Sequence, residues 1–322
     1  MHMGHCVTPT WSTVGHTETR RVFTVMSEQL LAPERTMTST PQNLPSTEAI
    51  LGQADAENFS VASRLLPRAV RDHLLAVYGF ARLADDIGDE ASGDRLALLD
   101  WLALELALAG RGQATHPILR RLTPTIRQFE LPLDPFYRLI EANRRDQVVH
   151  RYETFDDLIG YCSLSAAPVG ELVLRIFGAS TPARIILSND VCNALQIVEH
   201  IQDVAEDVAC GRIYLPQADL RAYGCTEDEL RAHSASPALR AVLRYEAGRA
   251  RRLLGAATPL TRELPFQPRV AVCGFAAGGL AALDAIERAG YQVLRQRCRP
   301  RPVRLGTRLV RALVVSWGRR AA

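Results

Sequence analysis

The chain contains no lysine; all 38 basic residues among its 322 are arginine. That uniformity reads as the codon bias of a GC-rich genome and carries no function by itself. Aromatic residues make up only 6% and the formal net charge is +3. No compact basic module with interleaved aromatics occurs, so nucleic acid is not an expected partner. The seven cysteines are odd in number, scattered, and form no CxxC pair. This excludes a disulfide framework and a cysteine zinc site, and it makes a reducing, cytoplasmic setting the expectation. No apolar run reaches the ~20 residues that a bilayer span needs. The longest, residues 270–283, is closed by Arg269 and Asp284 and holds three glycines; it reads as a buried core helix. No basic stretch leads into an apolar run at the N-terminus, so no signal peptide is expected. β-Branched alternation is rare and no Asn-Gly or Asp-Gly turn occurs, which argues against hairpins.

A hydrophobic fraction of 47% supplies a sizeable core. Residues 1–46 are polar, rich in Thr, Ser and Pro, and expected to be disordered. From residue 47 to 298 the texture is that of an all-α domain of roughly ten helices, long Ala/Leu/Arg segments broken by single Pro or Gly. Helices are expected over residues 96–109, 136–150, 156–177, 184–209, 237–257 and 268–297. Pro117 and Pro124 mark a break. In the first of these helices Asp100 and Glu105 can face solvent while the leucines face inward. Residues 299–322 form a basic amphipathic tail, and nine arginines lie between Arg295 and Arg320. Such a tail suits an anionic membrane surface, packing on the body, or solvation.

Two acidic stripes stand out. In Tyr78-Gly79-Phe80-Ala81-Arg82-Leu83-Ala84-Asp85-Asp86-Ile87-Gly88-Asp89-Glu90, Asp85 and Asp89 are four apart, as are Asp86 and Glu90. Helical residues at that spacing share a face, and like charges there repel. Over a hundred residues later, Gln196, Glu199, Asp203 and Asp207 form a second stripe beside Ile197, Val198, Ile201 and Val204. Either stripe alone reads equally as a solvated helix face. Together, each within an apolar helix and each with an arginine nearby (Arg82, Arg212), they point to hard divalent cations. Mg²⁺ prefers a few carboxylates plus substrate phosphates. A carboxylate–Mg²⁺–diphosphate arrangement between apolar walls suits ionisation of a diphosphate ester.

From about residue 57 to 291 the chain resembles the squalene/phytoene synthase family of all-α class I isoprenoid synthases, helical bundles with a central cavity. The resemblance is carried by Tyr78 to Arg82 with Asp85 and Asp89, and by Arg151-Tyr152-Glu153-Thr154-Phe155. It continues through Tyr161-Cys162 with Pro168-Val169-Gly170-Glu171, Asp203 to Asp207, and Gly211-Arg212-Ile213-Tyr214-Leu215-Pro216. It implies that Asp85, Asp89, Asp203 and Asp207, joined by Glu199, hold Mg²⁺ and diphosphate. Arg82, Tyr78, Gln202 and Arg212 are implied at the diphosphate end. Tyr161 is implied at the reacting centre, Gln196 in the pocket, and Asn58, Phe59 and Ser60 at the start of the substrate-binding region. Asp146 matches an acidic position of the family. Asp156 and Asp157 after Thr154 read as a helix start rather than a site.

The departures from the family pattern are informative. Glu199 and Gln202 stand where squalene and phytoene synthases usually carry Asn and Arg, and Ala277-Gly278-Gly279 stands where they often carry a tyrosine. These features resemble the hopanoid-pathway branch of bacteria, which takes presqualene diphosphate and water to hydroxysqualene. No nicotinamide fingerprint of the GxGxxG type occurs, and no nicotinamide cofactor is expected. Glu199, His200 and Tyr161 are candidates to hold the water; His200 reads first as a hydrogen-bonded helix histidine. The alternatives are head-to-head condensation of two farnesyl or geranylgeranyl diphosphates, and a non-catalytic prenyl-binding or assembly protein. Neighbouring hopanoid-pathway enzymes and peripheral contact with the inner face of the cell membrane complete the expectation.

Overall fold

The computed structural model describes residues 68–295, 298–300 and 302–317, together with Leu44, Thr47 and Ile50. The expected disorder of residues 1–46 and the site residues Asn58, Phe59 and Ser60 therefore lie outside the described residues. Fourteen helices occur among those described: α1 (Arg68–Asp89), α2 (Arg95–Arg111), α3 (Pro117–Gln128), α4 (Asp134–Asp146), α5 (Phe155–Ser165), α6 (Ala167–Ile176), α7 (Pro182–Gln202), α8 (Val204–Ala209), α9 (Gln217–Ala222), α10 (Glu227–Leu230), α11 (Pro237–Leu254), α12 (Ala257–Glu263), α13 (Phe266–Arg288) and α14 (Pro302–Trp317). No strand occurs among the described residues; one isolated parallel bridge joins Arg151 to Ile213. The all-α expectation holds.

α1 forms because Leu74, Val77, Phe80, Leu83, Ala84 and Ile87 recur at helical intervals and bury one face. They meet α2, α3 and α4 in a first core with Leu99, Leu102, Leu119, Leu122, Phe136 and Ile140. There Phe80 packs edge-to-face on Phe136, with ring centroids 5.0 Å apart. The second core is built on α7. Its Ala194, Ile197, Val198 and Ile201 are buried with Leu239, Val242 and Leu243 of α11, Leu260 of α12, and Leu283 and Ile286 of α13. α6 gives Leu172, Val173 and Ile176 to the first core and Leu174 to the second, so it welds the two. α13 is apolar enough to span a bilayer by composition, but Val270, Ala271, Val272, Cys273, Leu283 and Ile286 are buried in the protein.

Several sequence expectations need correction. Asp100 is exposed and pairs with Arg144 at 2.6 Å, but Glu105 is buried at 4% exposure. Its carboxylate accepts from the Thr115 amide (2.9 Å), the Thr115 hydroxyl (2.7 Å) and the His116 amide (3.0 Å). His116 is the N-cap of α3 and makes no side-chain cap, so a carboxylate from the neighbouring helix takes that role at the positive helix end. Pro117 does start a helix, at its first turn, but Pro124 does not break it: α3 continues to Gln128. The single helix expected over residues 156–177 divides at Ala166, ahead of Pro168. At its start Thr154 and Asp157 form a reciprocal capping box. The helix expected over residues 184–209 is interrupted at Asp203, whose φ and ψ are −104° and 15°.

α14 shows where the C-terminal segment goes. It packs antiparallel on α13: Arg308 binds Asp284 at 2.6 Å, while Ser316 reaches the Cys273 side chain nearer the start of α13. Over residues 302–317 the tail is thus a helix on the body, with one face left open.

Glu105→Ala should lower stability by about 2–3 kcal/mol, because it strips a charged acceptor from two backbone amides and a hydroxyl. Asp100→Ala, which breaks an exposed pair, should cost less than about 1 kcal/mol. Urea unfolding of the two variants measures the difference.

Candidate active site

Both acidic stripes open into one cavity of about 310 Å³ between α1, α4, α5, α7 and the α8 region. Arg82, Asp85, Asp89, Tyr161, Gln196, Glu199, Asp203, Asp207 and Arg212 all line it. On α1 the i, i+4 spacing turns Asp85 and Asp89 to the same side. On the opposite wall the spacing survives the break at Asp203. The Asp203 amide still donates to the Glu199 carbonyl (2.9 Å), and the Asp207 amide to the Asp203 carbonyl (2.8 Å). Arg212 Nη1 reaches Asp89 Oδ1 at 2.7 Å and ties the two walls together. Arg82 is held by its own helix, with Nε 2.6 Å from the buried Asp86 and Nη2 3.5 Å from Glu90. Asp86 and Glu90 thus stand behind the lining and orient Arg82.

Asn143 of α4 positions Asp85. Its amide donates to Asp85 Oδ1 (3.0 Å) and to the Leu139 carbonyl (3.2 Å). The contact needs Gly88: a Cβ there would stand 2.2 Å from the Asn143 side-chain oxygen Oδ1. Gln147 adds a bond from its amide to the Gly88 carbonyl at 3.0 Å.

A second polar group lines the same cavity. Asp146 accepts from the Tyr161 hydroxyl (2.6 Å) and the Tyr214 hydroxyl (3.0 Å). The His200 ring stacks on Tyr214 with centroids 3.8 Å apart and lies 3.8 Å from the Asp207 carboxylate. Gln196 Nε2 is 3.5 Å from His200 Nε2. A strap of two extended segments brings Tyr214 in. The Ile213 amide donates to the His150 carbonyl (2.9 Å), the Gln217 amide to Tyr152 (2.9 Å), and the Ala218 amide to Glu153 (3.0 Å). Arg151 locks the strap, binding Glu227 through Nε (2.7 Å) and the Gly211 carbonyl through Nη1 (2.7 Å). The turn into it requires Gly211, at φ 82°.

Charge in the cavity is unbalanced: Asp85, Asp89, Asp146, Glu199, Asp203 and Asp207 face two arginines. Asp85 is reached by solvent through the cavity, yet protein surrounds it. That enclosure pushes its carboxyl up to about 7, with Asp89 and Asp86 adding and Asn143 and Arg82 opposing. Burial also raises Asp146 despite its tyrosine bonds. Burial, with Tyr214 and Asp146 adding, holds the Tyr161 phenol far above its ordinary range. Hard oxygen donors in excess over cationic side chains fit Mg²⁺. Among the described residues no three carboxylate, His or Cys groups stand together as a closed cage, so oxygens from a ligand would have to complete the coordination.

Two implied residues do not line the cavity. Gln202 instead donates from Nε2 to the Cys298 carbonyl at 2.6 Å, tying the end of α7 to the chain beyond α13. Tyr78 sits one turn before Arg82 on α1. The apolar walls expected beside the diphosphate are slight here: among the described residues Leu139 and Ala142 are the aliphatic side chains that line this cavity. Asn143 and Tyr214 were missed as site residues, and Asp146 was noted only as a family position. Asn143 and Asp146 are three apart on α4, but the arginines between them mask the pattern.

The family model for squalene/phytoene synthase matches residues 53–304. Hydroxysqualene synthase of Rhodopseudomonas palustris is 39% identical over 210 residues, covering 65% of this chain and 71% of that one. Presqualene diphosphate synthase of the same organism is 34% identical over 203 residues, covering 62% and 72%. The crystal structure of squalene synthase HpnC from Alicyclobacillus acidocaldarius superposes with a TM-score of 0.71 at 45% identity, over 76% of this chain and 94% of that one.

Asp85 has a folded pKa of about 7 against an ordinary 3.8. Its contribution to the stability of the metal-free protein is fully present below pH about 4 and lost as pH rises through about 7. Thermal midpoints measured across this window without Mg²⁺ should show that decline, and Asp85→Asn should flatten it.

Proposed function

This chain belongs to the squalene/phytoene synthase family and is an enzyme of that type, and we propose that it converts presqualene diphosphate and water to hydroxysqualene and diphosphate. The observation that carries the proposal is that Glu199, the aspartate stripes and the Tyr161–Asp146–Tyr214 group line one cavity. The likeness to a relative named hydroxysqualene synthase supports it.

In this reading Asp85, Asp89, Asp203, Asp207 and Glu199 hold Mg²⁺ together with the substrate diphosphate. When bound, Mg²⁺ supplies the positive charge that stabilises diphosphate as a leaving group. Arg82 and Arg212 add fixed donors at the same end. Departure of diphosphate leaves a cyclopropylcarbinyl cation, which rearranges. A water then forms the new C–O bond and gives up one proton. Tyr161, oriented by Asp146 and kept protonated by its surroundings, offers a hydroxyl to position that water. Glu199 or His200 accepts the proton. Asn143 keeps one Asp85 oxygen engaged so that the other is free to face the cavity. In this reading the largely apolar product suits work at the inner face of the cell membrane, beside hopanoid-pathway enzymes that supply presqualene diphosphate and consume hydroxysqualene.

Head-to-head condensation of farnesyl diphosphate is the second reading, favoured by the likeness to proteins named presqualene diphosphate synthase and squalene synthase. Purified protein with Mg²⁺ and presqualene diphosphate in ¹⁸O-water should yield ¹⁸O-labelled hydroxysqualene. Presqualene diphosphate or squalene formed from farnesyl diphosphate, with no alcohol from presqualene diphosphate, would reverse the choice. Asp203→Asn should reduce turnover by at least ~10³-fold with an unchanged circular dichroism spectrum. Gly88→Ala, which displaces Asn143, should weaken the thermal shift produced by Mg²⁺ plus inorganic diphosphate.

A further inference from the structure

The last acidic side chain in the sequence is Glu287; the 35 residues after it carry ten arginines and no Asp or Glu. The first 287 residues carry 28 arginines against 35 carboxylates. Positive charge is therefore concentrated at one end of an otherwise acidic chain. Within that end, Arg295, Arg299 and Arg311 are exposed.

α14 lies in this segment and has two unlike faces. Leu305, Leu309, Ala312, Leu313 and Ser316 turn inward and are buried or half-buried. Arg308 is occupied by Asp284, which also binds Arg251 at 3.0 Å. The outer face presents Thr307, Val310, Arg311, Val314 and Val315, and Val310 and Val314 are 61% and 62% exposed. The outward face of a surface helix is ordinarily polar or charged. Single exposed apolar residues are common, so the valines alone carry little. Their combination with segregated positive charge selects a partner that is both apolar and anionic. Nucleic acid offers the charge and nothing for the valines. A lipid bilayer with anionic headgroups offers both.

We propose that the outer face of α14 docks the protein on an anionic membrane surface, with Val310 and Val314 entering the headgroup region and Arg311 meeting lipid phosphates. The proposal deepens the functional reading above, since a long-chain, largely apolar alcohol product must pass into lipid. Docking itself requires no turnover.

The test is co-sedimentation of the full chain with phosphatidylcholine vesicles, with and without phosphatidylglycerol. The charged vesicles should retain at least ~10-fold more protein, and added salt should diminish this. Val310→Asp/Val314→Asp and, separately, Arg311→Glu should each reduce retention at least ~5-fold. Both should keep the parent's circular dichroism spectrum and its turnover in detergent solution. Equal retention on both vesicle types, or undiminished retention of the double variant, would overturn the proposal. So would DNA binding as strong as vesicle binding and insensitive to the valines. Vesicle binding without turnover of any prenyl diphosphate would sink the functional reading and leave the docking intact; turnover without vesicle binding would do the reverse.

Discussion

Carboxylates from two helices that are distant in sequence converge on one small space, and their mutual repulsion is the constraint to which the surrounding structure answers. Two carboxylates ~6 Å apart repel by roughly 3 kcal/mol at an effective dielectric of 20. Asp85 and Asp89 are four apart on α1, Asp203 and Asp207 four apart on the facing wall, and all four line the cavity. The protein offsets this only in part. Arg212 crosses from one wall to Asp89, and Asn143 donates to Asp85. Arg82, the remaining guanidinium in the lining, is already shared with Asp86 and Glu90. Burial is the main cause of the elevated Asp85 pKa, and the charges of Asp89 and Asp86 add to it.

Holding such a site open needs rigid walls, and both cores contribute. α1 and α4 come from the first core and α7 from the second. α1 and α4 meet where the Asn143 side chain packs against Gly88, so the helix contact and the orientation of a candidate metal ligand are one feature. The strap joining residues 150–153 to 213–218 does the same for the polar wall. Its backbone bonds fix Tyr214 over Asp146, and the Arg151–Glu227 pair anchors it from outside the cavity. A substitution in the strap would therefore reach the site without touching it.

The helical fold was legible because apolar periodicity is strong, as in α1, and because capping residues such as Thr154 mark their helices locally. The acidic stripes were legible for a similar reason: four-residue spacing is a local property, and it survived even the interruption at Asp203. What could not be read was tertiary. Glu105 looks like any surface glutamate on an amphipathic helix, and only the arrival of α3 turns it into a cap. Pro124 looks like a stop, yet packing of Leu119, Leu122 and Ile126 carries α3 through it. Gln202 follows the acidic stripe in sequence, but the chain returning at Cys298 claims its amide. Asp146 sits behind two arginines, and only the two tyrosines that reach it reveal its place in the cavity.

In the proposed reading the same imbalance governs how a diphosphate enters. An anion approaching the bare cavity meets more carboxylates than guanidinium groups, so Coulomb forces oppose it. Divalent cations reverse the sign of that field, and the anion in turn supplies oxygens that the carboxylate stripes alone do not arrange into a cage. Each ligand thus raises the affinity for the other, and by linkage the enhancement is mutual. Protons compete in the same exchange, because Asp85 must lose one to serve as a ligand below pH about 7. In that reading, rigid helices can leave these carboxylates close together and incompletely neutralised, because cation and diphosphate arriving together relieve their repulsion.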